Sequence, residues 1–264
     1  MTRDSLRAFD LVIFDWAGTM VDFGCRAPVA ALVEAFARRG VALDEAAARA
    51  DMGKAKVDHV RALLARPEVA AAWLQAVGRA SDDADVEALM TDLGPLMRDA
   101  AAAAAELIPG AADTVTALRA TGLKIGSSTG YTREMMEPVL VRAAAQGYAP
   151  DHLVCAGETP QGRPTPLMIY KACAELGVWP LSRVIKVDDA EAGVAEGRAA
   201  GCFTIGLAAS GNGLGLSEAA LAALPPLERE GRLAEVRAAL IAAGADLVID
   251  TVADLPAALA GMSI

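Results

Sequence analysis

Six short runs constrain the fold of this chain more than any other feature. "LVIFD" (residues 11–15), "LKIGSS" (123–128), "HLVCA" (152–156), "RVIKVDD" (183–189), "FTIGL" (203–207) and "DLVID" (246–250) read as apolar rather than alternating. A strand with one solvated face alternates apolar and polar side chains, so these runs belong to strands covered on both faces. Helical patterns separate the later runs: "AADTVTALRATG", "PLMIYKACAELG" and "AEAGVAEGRAAG". Each closes near a Gly, the residue that most easily takes the left-handed backbone ending a helix. Strand–helix alternation predicts an α/β protein, a doubly wound parallel sheet of Rossmann-like type with right-handed crossovers.

One interval breaks the rhythm. About a hundred residues between Asp22 and Leu123 hold no convincing strand. "APVAALVEAFARRG" places Val29, Leu32, Val33 and Phe36 on one face, with Pro28 near its start and Gly40 at its end. That is an amphipathic helix with its usual punctuation, and further helical patterns follow through Arg98. The expected organisation is an α/β core formed by residues 1–23 and 103–264, with residues 24–102 inserted as a helical domain.

In such sheets, ligands bind at the carboxyl ends of the strands. That rule selects Asp15 after the first run; Ser127, Ser128, Thr129 and Gly130 after the second; and Asp188 and Asp189 after the fourth. "GRPTP", in the loop after the third, adds Arg163. Acids, a hydroxyl and a cation at one sheet edge suit phosphoryl transfer. Carboxylate oxygens suit Mg²⁺ or can attack phosphorus, and a guanidinium offsets the crowded negative charge.

"FDWAGT", "SSTGYT", "GRPTP" and "VDDAEAG" resemble the four ordered motifs of the haloacid dehalogenase superfamily. "DWAGTMVDFGCRAP", "MGKAKVDHVRAL", "GSSTGYTREMM" and "LGLSEAAL" extend the resemblance, over essentially the whole chain, to its phosphonatase family. The resemblance implies a haloacid dehalogenase-like core with a helical cap, and hydrolysis of the carbon–phosphorus bond of phosphonoacetaldehyde. It further implies Asp15 as nucleophile, and Mg²⁺ held by Asp15, the Ala17 carbonyl and Asp189. Thr129, Gly130 and Arg163 would hold the phosphoryl group, Met52 would approach the substrate, and the cap would form a homodimer.

Superfamily phosphatases carry an acid at the position of Ala17, which protonates a departing alkoxide. A departing carbon has a different need, an electron sink, which an iminium formed between an aldehyde and a lysine supplies. Ala17 therefore predicts a lysine elsewhere. "MGKAKVDHVRALL" offers Lys54 and Lys56. If one helix includes both, Lys56 borders the stripe of Val57, Val60, Leu63 and Leu64, while Lys54 falls opposite, paired with Asp58. The resemblance also selects Lys56. His59 shares its face and is either a candidate proton carrier, with Tyr131 or a water as partner, or a capping or core residue; Cys25 lies beside the opening motif. Gly193 stands where many superfamily members carry a further carboxylate, leaving Asp188 or Glu191 to supply that charge.

A net charge of −10 argues against nucleic acid and anionic membranes as partners. The alanine run 100–105 is too short and too closely flanked by acids to span a bilayer. No signal-peptide pattern opens the chain, so the cytoplasm is the expected compartment. The four cysteines form no C-x-x-C pair and read as reduced thiols. The rival readings are a phosphomonoesterase or phosphomutase on the same core, against which Ala17 argues, and a non-catalytic scaffold, against which Asp15 and Asp189 argue.

Overall fold

The computed structural model describes residues 8–262. Its elements run in the order β1 (Leu11–Phe14), α1 (Ala27–Ala37), α2 (Glu45–Arg49), α3 (Lys56–Ala65), α4 (Pro67–Val77), α5 (Asp83–Ala103), α6 (Ala111–Ala120), β2 (Lys124–Thr129), α7 (Arg133–Ala145), β3 (His152–Cys155), α8 (Leu167–Leu176), β4 (Val184–Asp188), α9 (Glu191–Ala200), β5 (Phe203–Leu207), α10 (Glu218–Ala222), α11 (Pro226–Ala243), β6 (Leu247–Ile249) and α12 (Leu255–Gly261). The six strands form one sheet in the order β3-β2-β1-β4-β5-β6, with every pairing parallel. All six expected runs are strands, and the all-apolar reading has its cause in burial. β1 and β4 are buried at every position, and helices cover both faces of the sheet.

Strand order reverses between β1 and β4, the two central neighbours. Loops leaving such a pair diverge to opposite faces and open a crevice at their carboxyl ends. Asp15 follows β1 there, and Asp188 and Asp189 stand at the end of β4.

Between β1 and β2 lie α1–α5, with no named strand, before α6 makes the crossover. α1 buries Val29, Leu32 and Phe36, and Phe36 meets Trp73 of α4 edge-on. Asp82 caps α5 and Asp85 returns the bond, a reciprocal box that satisfies two of the orphan donors at a helix start. The two connections into this helical insert pair with each other: Ile108 N–H donates to Met20 O at 2.9 Å, and Val21 bridges Leu107 in antiparallel fashion. No described helix is long and apolar enough to cross a membrane.

Candidate active site

Asp15 leaves β1 with its backbone N–H bonded to Val187 O of β4 at 3.0 Å, so the two central strands fix where its carboxylate starts. Arg163 Nη1 lies 2.8 Å from Asp15 Oδ1. The rest of that guanidinium is anchored behind it. Nη2 donates to Ser128 O at 2.7 Å, and Nε donates to Glu196 Oε2 at 2.9 Å. Glu196 and Lys186 are fully buried, and Lys186 Nζ reaches Asp188 Oδ2 at 2.9 Å and Ser128 Oγ at 2.9 Å. Neither Lys186 nor Glu196 stood out in the sequence. The signal for the first was a lysine inside a strand covered on both faces, which is stable only when paired. For Glu196, one acid within a small-residue helix gave no cue.

Asp15, Asp188 and Asp189 each offer an oxygen within 4.8 Å of the others, and all three are buried. Burial, then the neighbouring Asp188 charge, pushes the Asp15 carboxyl up to about 6 against the pull of Arg163. Asp189 is pushed well up by burial and by Asp15 and Asp188. For Asp188, burial is outweighed by Arg163 and Lys186, which hold its carboxyl low. The cluster thus divides: Asp188 already has its cations, whereas Asp15 and Asp189 together carry negative charge that a metal ion would offset. Thr19 Oγ1 donates to Asp189 Oδ1 at 3.2 Å and Asn212 N–H to Asp189 Oδ2 at 2.7 Å, orienting that carboxylate. An all-oxygen donor set of this kind suits a hard divalent cation.

The insert closes over this edge. Lys56 is the first residue of α3, 4% exposed, and its Nζ lies 3.5 Å from Met52 Sδ and 5.9 Å from the centre of the Tyr131 ring. Burial lowers its pKa to about 8, and the positive end of the α3 dipole also disfavours an ammonium. A small cavity is lined by Asp15, Ala17, Asp189 and Arg163 from the core side and by Cys25, Met52 and Lys56 from the insert side. Thr129, Gly130 and Tyr131 complete its wall, and Tyr131 N–H donates to Thr129 Oγ1 at 3.1 Å. Contact here is close. A Cβ on Gly130 would stand 3.1 Å from Lys54 O, and one on Gly53 would stand 3.1 Å from Ala190 Cβ. Burial pushes the Cys25 thiol and the Tyr131 hydroxyl well up, so both stay protonated.

Two expectations need correction, and one open choice narrows. α3 begins at Lys56, so Lys54 precedes the helix and pairs with Asp51 rather than with Asp58. His59 does not line the cavity. It is fully buried behind Lys56, and burial and then the Lys56 charge lower its pKa to about 3. Glu191 is exposed, so of the two acids considered for the place of Gly193, Asp188 is the one inside the cluster.

Comparison with known proteins gives the same direction. The family model that describes haloacid dehalogenase-like hydrolases matches residues 9–201. The chain is 48% identical to a phosphonoacetaldehyde hydrolase of Paraburkholderia phytofirmans, over 92% of this chain and 91% of that one. It is 46% identical to a phosphonoacetaldehyde hydrolase of Syntrophobacter fumaroxidans, over 93% and 88% of the two chains. The crystal structure of a phosphonoacetaldehyde hydrolase-like protein from Oleispira antarctica superposes with a TM-score of 0.94 at 39% identity, covering 96% of this chain and 92% of the other.

Proposed function

The chain belongs to the phosphonoacetaldehyde hydrolases, within the haloacid dehalogenase-like hydrolases, and we propose that it cleaves the carbon–phosphorus bond of phosphonoacetaldehyde with Lys56 as amine and Asp15 as nucleophile. The products are acetaldehyde and phosphate. The observation that carries this reading is a buried amine and a buried carboxylate lining one small cavity in which position 17 offers no acid.

The neutral Lys56 amine adds to the aldehyde carbon, and loss of water leaves an iminium. An Asp15 oxygen attacks phosphorus while the electrons of the carbon–phosphorus bond move into the iminium, giving an enamine and an aspartyl-phosphate. The enamine carbon takes a proton, water releases acetaldehyde from Lys56, and water releases phosphate from Asp15. An amine with a pKa near 8 is free in about one molecule in ten at pH 7, against well under 1% at the ordinary value. Thr129, Gly130 and Arg163 hold the phosphoryl oxygens. Met52 and Cys25 close the apolar side, and the Tyr131 hydroxyl, which has no hydrogen-bond partner among the described residues, serves as proton carrier. His59, buried and uncharged at neutral pH, does not line the cavity and is given no contact with substrate.

Asp15, Asp189 and the Ala17 carbonyl would hold Mg²⁺, which when bound offsets the charge between the nucleophile and the dianionic phosphonate. The Ala17 carbonyl accepts no hydrogen bond among the described residues, which leaves it available as a ligand. The helical insert, residues 24–102, acts as a cap. Leu74 and Val77 of α4 remain exposed on it, which fits a homodimer formed through the insert. Four unpaired cysteines fit the cytoplasm.

The test is release of acetaldehyde and phosphate from phosphonoacetaldehyde by wild type, Lys56→Arg and Asp15→Asn. Release by wild type alone supports the reading. Rapid hydrolysis of sugar phosphates, undiminished in Lys56→Arg, would favour a phosphomonoesterase instead.

A further inference from the structure

The loop after β5 holds "SGNGLGLSEAAL", a motif of which only the Asn212 backbone, bonded to Asp189, has a task in the chemistry above. It touches the active-site loop, the Asp189 carboxylate and the entry to the insert all at once. Ser210 Oγ donates to Gly18 O at 2.7 Å, and Asn212 N–H donates to Asp189 Oδ2 at 2.7 Å. Ser210 O accepts from Gly24 N–H at 2.7 Å. The side chain of Asn212 turns the other way, to Arg49 at the end of α2. Asn212 Nδ2 donates to Arg49 O at 3.1 Å, and Arg49 Nη1 donates to Asn212 Oδ1 at 3.2 Å. The same guanidinium donates through Nη1 to Gly24 O at 3.0 Å and Cys25 O at 3.3 Å, and through Nη2 to Gly215 O at 3.3 Å.

Two of the carbonyls that Arg49 holds, those of Gly24 and Cys25, belong to a strained connection. Asp22 (φ 55°) and Cys25 (φ 49°) are non-glycine residues with left-handed backbone on either side of Gly24 (φ 89°). Such conformations cost free energy and persist where their surroundings fix them. Arg49 supplies that fixing from the insert side, and Asn212 ties it to the loop that orients Asp189. A planar fork of donors is suited to gathering several carbonyls in one place.

We propose that Arg49 and Asn212 are positioning residues that clasp the helical insert to the loop after β5, so that Lys56 reaches its place opposite Asp15 in the conformation in which Asp189 is oriented. The clasp rests on the functional reading above only in requiring that Lys56 and Asp15 meet. Neither residue lines the cavity, and neither touches substrate.

Loss of the clasp lowers the population of the closed state. A ligand that binds only that state then shows a weaker apparent affinity in proportion, while turnover at saturation is kept. In Arg49→Ala, KM for phosphonoacetaldehyde is expected to rise about tenfold with kcat within about twofold of wild type. Asn212→Ala shows the same split, and Arg49→Lys, a point charge in place of a fork, falls between. A second readout needs no substrate. Alkylation of Cys25 by iodoacetamide, followed by mass spectrometry, accelerates about tenfold in Arg49→Ala, while buried Cys155 on β3 keeps its wild-type rate. Unchanged Cys25 alkylation in Arg49→Ala overturns the clasp, and so does a fall in kcat with KM unchanged, which marks damage to folding. If wild type fails to hydrolyse phosphonoacetaldehyde, the functional reading falls, while Cys25 alkylation still decides for or against the clasp.

Discussion

A Cβ placed on Gly193 would lie 2.0 Å from Asp188 Oδ2 and 2.1 Å from its carboxyl carbon. The two positions compete for one space. The carboxylate that occupies it comes from the end of β4 rather than from the first turn of α9, and it meets Lys186 Nζ at 2.9 Å, Arg163 Nη2 at 3.4 Å and Ala190 N–H at 3.1 Å.

Gly193→Asp alone should therefore overpack the cluster and add an uncompensated charge, with a cost of about 2–4 kcal/mol in urea unfolding. Asp188→Gly alone leaves Lys186 and Arg163 short of a partner, at about 3 kcal/mol or more. The double variant exchanges the carboxylates. It should be more stable than the sum of the two losses by about 2 kcal/mol, a coupling expected of residues that share one site. Strict additivity would show that Gly193 and Asp188 do not share the space.

Lys56 should weaken the fold at neutral pH. Its pKa is lowered by burial to about 8 from the ordinary 10.5, so between these values the unfolded chain carries the proton and the folded chain does not. Stability rises with pH wherever the unfolded state binds more protons. The penalty is thus fully present below pH 8 and fades as pH approaches 10.5. Lys56→Met should stabilise the protein at pH 7 by on the order of 3 kcal/mol, with the gain shrinking above pH 8 while activity is lost. A gain that is constant from pH 7 to pH 10 would show that the amine is not held near 8.

Asp15 and Asp189 repel each other in a buried site, so a divalent cation should stabilise the fold. Mg²⁺ at about 100 times its dissociation constant adds about 2.7 kcal/mol, visible as a rise in melting temperature. Asp189→Asn should abolish most of the rise, and chelation should stop phosphate release from wild type. An equal rise in Asp189→Asn would place the cation elsewhere.

Much of this arrangement is legible in the residues, because each piece obeys a local rule. Six apolar runs gave six strands, and the carboxyl-end rule selected Asp15, Thr129, Gly130, Arg163 and Asp189, all of which line the cavity. The apolar stripe favours Lys56 although α3 begins only at Lys56. Pairings that depend on three-dimensional proximity were not legible. Lys54 finds Asp51 because a turn precedes α3. Glu196 reaches Arg163 from α9, and Arg49 at the end of α2 reaches Asn212 in a loop distant in sequence. His59 has the right spacing to face substrate, yet α3 turns it into the packed interior of the insert, where spacing alone could not place it.

The most direct test of the account is borohydride reduction of the enzyme during turnover of phosphonoacetaldehyde, followed by peptide mass spectrometry. An ethyl-sized adduct on Lys56, absent in Lys56→Arg, is the predicted result. Sustained release of acetaldehyde and phosphate with Lys56 unlabelled would contradict it.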